Sequence, residues 1–162
     1  FSFLAPDTVS TAGVDTPGAT IDYGNGVRAD YVWDAERGGW DRFQVDQTHP
    51  RGSSAALDSN GVQVAPQNVV VLFMEYGQSP SDSRSPMAIS TGSGEAYVLT
   101  NGKLVHGTWN RPSALDPWNL TDDAGQPIQL TPGRTWVSLP EIGSAFTPLD
   151  PVAAGELLAL RV

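Results

Sequence analysis

Asn68-Val69-Val70-Val71-Leu72-Phe73-Met74-Glu75-Tyr76 is followed by Gly92-Ser93-Gly94-Glu95-Ala96-Tyr97-Val98-Leu99-Thr100-Asn101-Gly102-Lys103-Leu104-Val105-His106-Gly107-Thr108-Trp109-Asn110-Arg111, and these two runs decide the fold. The continuous apolarity of the first predicts a central strand buried on both faces. In the second, Asn101-Gly102 is a strong signal for a two-residue type I′ hairpin turn, because both central residues of that turn need positive φ. Thr100 then faces Lys103, and every other cross-strand pair follows. One face carries Val98 opposite Val105, Ala96 opposite Gly107 and Gly94 opposite Trp109. There the small residues leave room for an indole, so this face belongs to the core. The other face carries Leu99 opposite Leu104, Tyr97 opposite His106, Glu95 opposite Thr108 and Ser93 opposite Asn110. It becomes polar away from the turn.

Working outward, short apolar runs separated by Gly and Pro predict strands at 20–23, 27–33, 40–45, 62–65 and 134–139, with two short strands around Asp122-Asp123-Ala124-Gly125. Residues 77–85, rich in Ser with Pro80, Asp82 and Arg84, read as an exposed loop, and 112–118 as irregular chain. Asp150-Pro151 is an N-cap and N1 pair ahead of a short helix carrying Val152, Leu157, Leu158 and Leu160. The fold class is therefore mainly β, with antiparallel hairpins forming a sandwich or barrel-like sheet and little helix. One β-rich domain spans 1–162: an N-terminal hairpin segment at 1–66, a motif region at 67–140 and a tail at 141–162.

Composition narrows the function classes. A formal charge of −9 leaves no basic patch for nucleic acid or anionic lipid. With no cysteine, disulfides, thiolate nucleophiles and Cys-bound zinc are excluded. No apolar run approaches the roughly 20 residues that span a bilayer, and the start, Phe1-Ser2-Phe3-Leu4-Ala5-Pro6, lacks the basic region of a signal peptide. The chain is therefore expected to begin partway through a gene product.

The candidate site lies on the polar hairpin face. Glu95 and His106 fall on a diagonal of the ladder, a pattern that fits an acid/base pair or an exposed cross-strand pair; a one-residue bulge would separate them. Trp109-Asn110-Arg111 sets an aromatic plane beside a guanidinium, which suits a carbohydrate or carboxylate site or, equally, a core indole with an arginine closing the strand end. Glu95, Tyr97, His106, Trp109, Asn110 and Arg111 are the ligand-binding candidates. Trp118, in irregular chain, is the tryptophan placed to face a ligand. Asp30, Asp34 and Asp41 with Glu36 match no EF-hand loop and read as a solvated hairpin. His49, before Pro50, has no second His or Cys at ligand spacing. Gly92-Ser93-Gly94 leads into a strand and forms neither a phosphate-cradling loop nor a nucleophile elbow. No catalytic motif is present, and no cofactor or metal is expected.

These residues carry a resemblance. The Asn-Val-Val-Val strand at 68–71, Gly-Ser-Gly at 92–94, the Asn-Gly hairpin at 101–102, Gly-Thr-Trp-Asn-Arg at 107–111 and Pro-Gly-Arg-Thr-Trp at 132–136 together resemble the C-terminal domain of the YerB-like bacterial lipoproteins, the domain-of-unknown-function 3048 family. Phe1-Ser2-Phe3 and the hairpin from Tyr31-Val32-Trp33 to Arg42-Phe43 are similar to the segment that precedes it. The resemblance implies a bacterial source and an extracytoplasmic location. It also implies a larger N-terminal half, a linker and a lipobox cysteine that this chain does not contain. An α+β architecture, as part of a larger YerB-like fold, is the alternative fold class. The family supplies no reaction, substrate or catalytic residue, and the tail beyond Pro140 reads as an extension past its motif.

The functional expectation is an extracytoplasmic domain of an envelope lipoprotein that binds or supports rather than catalyses. Its expected partners are a cell-wall glycan, an envelope protein or the N-terminal half of its own precursor. Membrane contact would come only through the lipid anchor. The alternative is a hydrolase of an envelope polymer using Glu95 and His106.

Overall fold

The computed structural model describes residues 1–49 and 52–162. In chain order it contains β1 (Ser2–Phe3), β2 (Val14–Asp15), β3 (Gly18–Gly24), β4 (Val27–Asp34), β5 (Gly39–Val45), β6 (Ser53–Ala55), β7 (Asn68–Leu72), β8 (Tyr76–Gln78), β9 (Pro86–Ala88), β10 (Gly92–Thr100), β11 (Lys103–Arg111), β12 (Asn119–Asp122), β13 (Gln129–Leu130), β14 (Thr135–Ser138), β15 (Ala145–Pro148) and α1 (Pro151–Leu158). Pro50 lies outside the described residues.

The run at Asn68 forms β7, and all five of its residues are buried. It sits inside a sheet ordered β12-β11-β10-β7-β14, with β2 attached to β11; a second sheet runs β15-β3-β4-β5-β6. Neither closes into a barrel. The two pack face to face through Val69, Val71, Phe73 and Leu99 on one side and Ile21, Tyr31 and Trp40 on the other. The opposite face of the first sheet buries Val70, Leu72, Val98, Trp109 and Leu130. The opposite face of the second buries Val32 and Phe43 against Ala154 of α1. Each large apolar side chain so enclosed contributes about 1.5–3 kcal/mol relative to exposure. The architecture is a β-sandwich with one short helix, rather than the α+β alternative.

The hairpin has the register the sequence predicts, from Thr100 opposite Lys103 to Gly92 opposite Arg111. Asn101 and Gly102 have φ of 46° and 71°, as a type I′ turn requires. A Cβ on Gly94 would lie 2.6 Å from Trp109 Nε1, so this glycine does make room for the indole. The small size of Gly107 instead lets the backbone of Thr121 in β12 come close.

Asn68, fully buried, ties three elements together. Its Nδ2 donates to the Thr131 carbonyl at 2.8 Å, and its Oδ1 accepts from Thr100 Oγ1 at 2.8 Å and from the Thr131 amide at 3.1 Å. A buried amide with both ends occupied fixes register as well as adding stability.

Several expectations are corrected. Residues 62–65 form no regular strand; Gln63 makes an isolated bridge with Leu57, and the strand along β5 is β6. Gly77 and Gln78 belong to β8, which pairs with β9, so the loop is shorter than 77–85. Both β14 beside β7 and β1 beside β13 are parallel, a pairing that hairpin logic does not generate. The acidic hairpin is not solvated: Asp30, Asp34 and Asp41 are buried under the helix side of the second sheet. Asp30 pairs with Arg28 at 3.1 Å, Asp41 with Arg37 at 3.2 Å and Asp34 with Arg161 at 2.8 Å. Burial pushes the Asp41 carboxyl above its ordinary pKa despite Arg37.

Through Arg161 the tail becomes part of the fold. β15 completes the second sheet, and α1, capped by Asp150 Oδ1 on the amides of Val152 and Ala153 at 2.8 Å, covers its outer face. Among the described residues no helix is long and apolar enough to cross a membrane.

Candidate functional site

The two faces of the β10–β11 hairpin separate the predicted site residues. Side chains alternate across a strand, so Glu95, Tyr97, His106 and Asn110 point to one side and Trp109 and Arg111 to the other. Trp109 is only 2% exposed and donates from Nε1 to the Phe73 carbonyl at 2.9 Å. It is a core residue with no face left for a ligand. Arg111 donates to the carbonyls of Asp116 at 2.8 Å and Ala114 at 2.6 Å and to Ser90 Oγ at 3.0 Å, with its guanidinium 4.4 Å from the Trp118 ring centroid. These contacts hold the 112–118 segment in place. Trp118 is correspondingly not free: Arg111 covers it, and Phe1 stacks on it at 5.8 Å. Asn110 stays exposed, making a 3.4 Å contact from Nδ2 to the Gly92 carbonyl at the far end of the ladder.

Glu95, Tyr97 and His106 do come together. Glu95 Oε1 accepts from Tyr97 Oη at 2.9 Å and lies 3.1 Å from His106 Nε2. The other ring nitrogen, Nδ1, lies 2.8 Å from the Asp123 carboxylate. That second carboxylate is a site residue that pairwise ladder reasoning did not supply. Its signal was the β11–β12 register, which sets Asp122 opposite Gly107 and so brings Asp123 beside His106. The Asp123 hydrogen bond, followed by that of Glu95, raises the His106 pKa above its ordinary value. Burial, and then the hydrogen bond to Glu95, raises that of Tyr97 and keeps the phenol protonated.

Beside this cluster the second sheet contributes an aromatic wall. Phe146 of β15 stacks on Tyr97 with centroids 4.1 Å apart and planes 10° from parallel, while Phe73 meets Tyr97 edge-on at 6.1 Å. Phe73, Glu95, Tyr97, Phe146 and the turn residues Ile142, Gly143 and Ser144 line a groove of about 310 Å³. The turn closes through Ser144 N–H to the Glu141 carbonyl at 2.9 Å and is anchored to the first sheet by Ile142 N–H to the Met74 carbonyl at 2.9 Å. Gly143, at φ 102°, takes a conformation that a side chain would strain. On the far side of the same turn, Asp22, Tyr23 and Glu141 border a second depression of about 420 Å³. Among the described residues no arginine or lysine lines either one.

Chemically this arrangement offers carboxylate acceptors beside aromatic rings. Both His106 nitrogens face carboxylates, so the imidazole bridges Glu95 and Asp123 and each ring nitrogen already has an acidic neighbour.

The family described as "Protein of unknown function (DUF3048) C-terminal domain" matches residues 19–137. The fold is similar to the crystal structure of YerB protein from Bacillus subtilis, with a TM-score of 0.61 and 15% sequence identity, covering 86% of this chain. The chain spans 46% of that protein's length. No curated protein sequence matches it significantly.

Proposed function

The chain belongs to the DUF3048 C-terminal domain family, and from that membership we propose that it works outside the cytoplasm, in the cell envelope, as a binding module with no chemistry of its own. The proposed ligand is a wall glycan lying along the groove between β10 and the 141–144 turn. The observation that carries the reading is the groove itself, with the stacked Tyr97 and Phe146 rings beside the Glu95 carboxylate. Tyr97 and Phe146 cover one face of each other and His106 packs on Tyr97, so a sugar's apolar side would meet ring edges and the other face of Phe146 while its hydroxyls donate to the Glu95 carboxylate. The envelope location, and attachment through a lipid anchor on a longer protein, rest on the family resemblance. Hydrolysis by Glu95 and His106 has their 3.1 Å approach in its favour, but the carboxylate on each imidazole nitrogen argues for cross-linking instead.

Sedimentation with isolated bacterial cell wall tests the ligand. Phe146→Ala and Glu95→Gln should each weaken binding about three- to tenfold while the protein stays folded. Folded variants that bind as well as the native protein would remove the site assignment, and a native protein that ignores the wall would remove the glycan. Location is tested apart: protease added to intact cells should digest the protein, and complete protection would contradict an envelope role.

A further inference from the structure

We propose that β14 is a docking edge for an extended, acidic segment of another polypeptide, added as a further strand of the first sheet. β14 ends that sheet, and among the described residues its only strand partner is β7. Because Asn68 N–H donates to the Arg134 carbonyl in a parallel ladder, Trp136 and Ser138 turn their backbone groups inward, and Thr135 and Val137 turn theirs outward. Among the described residues nothing pairs with those outward groups. The other edge of this sheet is covered, since Asp122 and Ile128 amides donate to the Gln126 and Leu120 carbonyls as 126–128 folds back on β12. In the second sheet Gln63 bridges back next to β6, and β15 carries Pro148, which has no N–H. β14 is short, at four residues, but no proline, lysine or bulge interrupts it.

The side chains around this edge indicate what would bind. Arg134 and Trp136 share one face of the strand, and Trp136 is 37% exposed. The Arg42 guanidinium lies 4.8 Å from the Trp136 ring centroid, and a groove of about 420 Å³ runs beside it past Val62, Val64 and Pro66. Asp58 also borders this groove, and the Asn60 and Val62 amides on its Oδ1 favour its ionised form. Arg42 and Arg134 therefore outnumber one carboxylate at this open edge of a chain with net charge −9. On the other face Val137, 37% exposed, offers an apolar neighbour. A complementary strand would alternate, with acidic side chains toward Arg42 and Arg134 and apolar ones beside Val137. A second copy fits poorly, because two-fold pairing about Trp136 would bring Arg42 toward Arg42.

The test pans a phage-displayed library of random peptides against the folded domain. It should enrich sequences alternating acidic with β-branched residues, and the selected peptides should slow hydrogen exchange at the Thr135 and Val137 amides. Val137→Pro, which deletes one outward N–H, and Arg134→Glu should each weaken those peptides by about tenfold without lowering the melting temperature. Overturning results are equal enrichment on Val137→Pro, selection of basic or non-alternating sequences, undiminished binding to Arg134→Glu, or self-association through this edge seen by light scattering.

Discussion

The two faces of the β10–β11 hairpin use chemically similar residues for opposite ends. On one face Trp109 and Arg111 have the composition of a recognition site, yet the indole is sealed in the core and the guanidinium is taken up by the Ala114 and Asp116 carbonyls, Ser90 and the Trp118 ring. On the other face Glu95, Tyr97 and His106 look like surface decoration, yet Glu95 and Tyr97 border a groove completed by a strand from the other sheet. The difference teaches that a polar group's partners, more than its identity, show whether it is left for a ligand.

The comparison can be broken from the structural side first. Trp109→Ala should cost about 3–5 kcal/mol in urea unfolding, because it empties a core position and orphans the Phe73 carbonyl. A loss below 1 kcal/mol would mean that the indole is not the core element described. Asn68→Ala should cost about 2–3 kcal/mol, since the Thr100 hydroxyl and Thr131 amide lose their buried acceptor. A smaller effect is expected of Arg111→Ala, about 1 kcal/mol, with Trp118 fluorescence shifting to the red as its cover is lost. An unchanged spectrum would sever Arg111 from Trp118.

The smallest expected effect sharpens the functional side. Since the folded state raises the His106 pKa, the imidazolium is the form it favours. That stabilisation is complete below the ordinary value of 6.5 and is lost as pH rises through the raised value. The stability difference between the native protein and His106→Gln should therefore shrink as pH rises from about 6.5 through the raised value, and stay within about 1 kcal/mol because the site is exposed. A difference that grows with pH would mean the imidazole is held neutral.

Much of the fold was legible. The β10–β11 register followed from Asn101-Gly102 because turn geometry is local, and Asp150-Pro151 placed the helix start for the same reason. What escaped was long-range. Asp34 looked solvated because its partner Arg161 is 127 positions away, and the groove lost its aromatic wall because Phe146 enters from the tail. The parallel β7–β14 pair carries no turn signal at all. Of the candidate site, Glu95, Tyr97 and His106 were correctly grouped by period-two alternation. The same alternation, applied strictly, already set Trp109 and Arg111 on the reverse face.

Amide NMR titration with soluble peptidoglycan fragments tests the central claim most directly, since it reads both hairpin faces at once. The account predicts shifts concentrated at Glu95, Tyr97, Gly143, Ser144 and Phe146, with Trp118 and the 112–118 segment unmoved. Shifts centred on Arg111 and Trp118, or none anywhere, would contradict it.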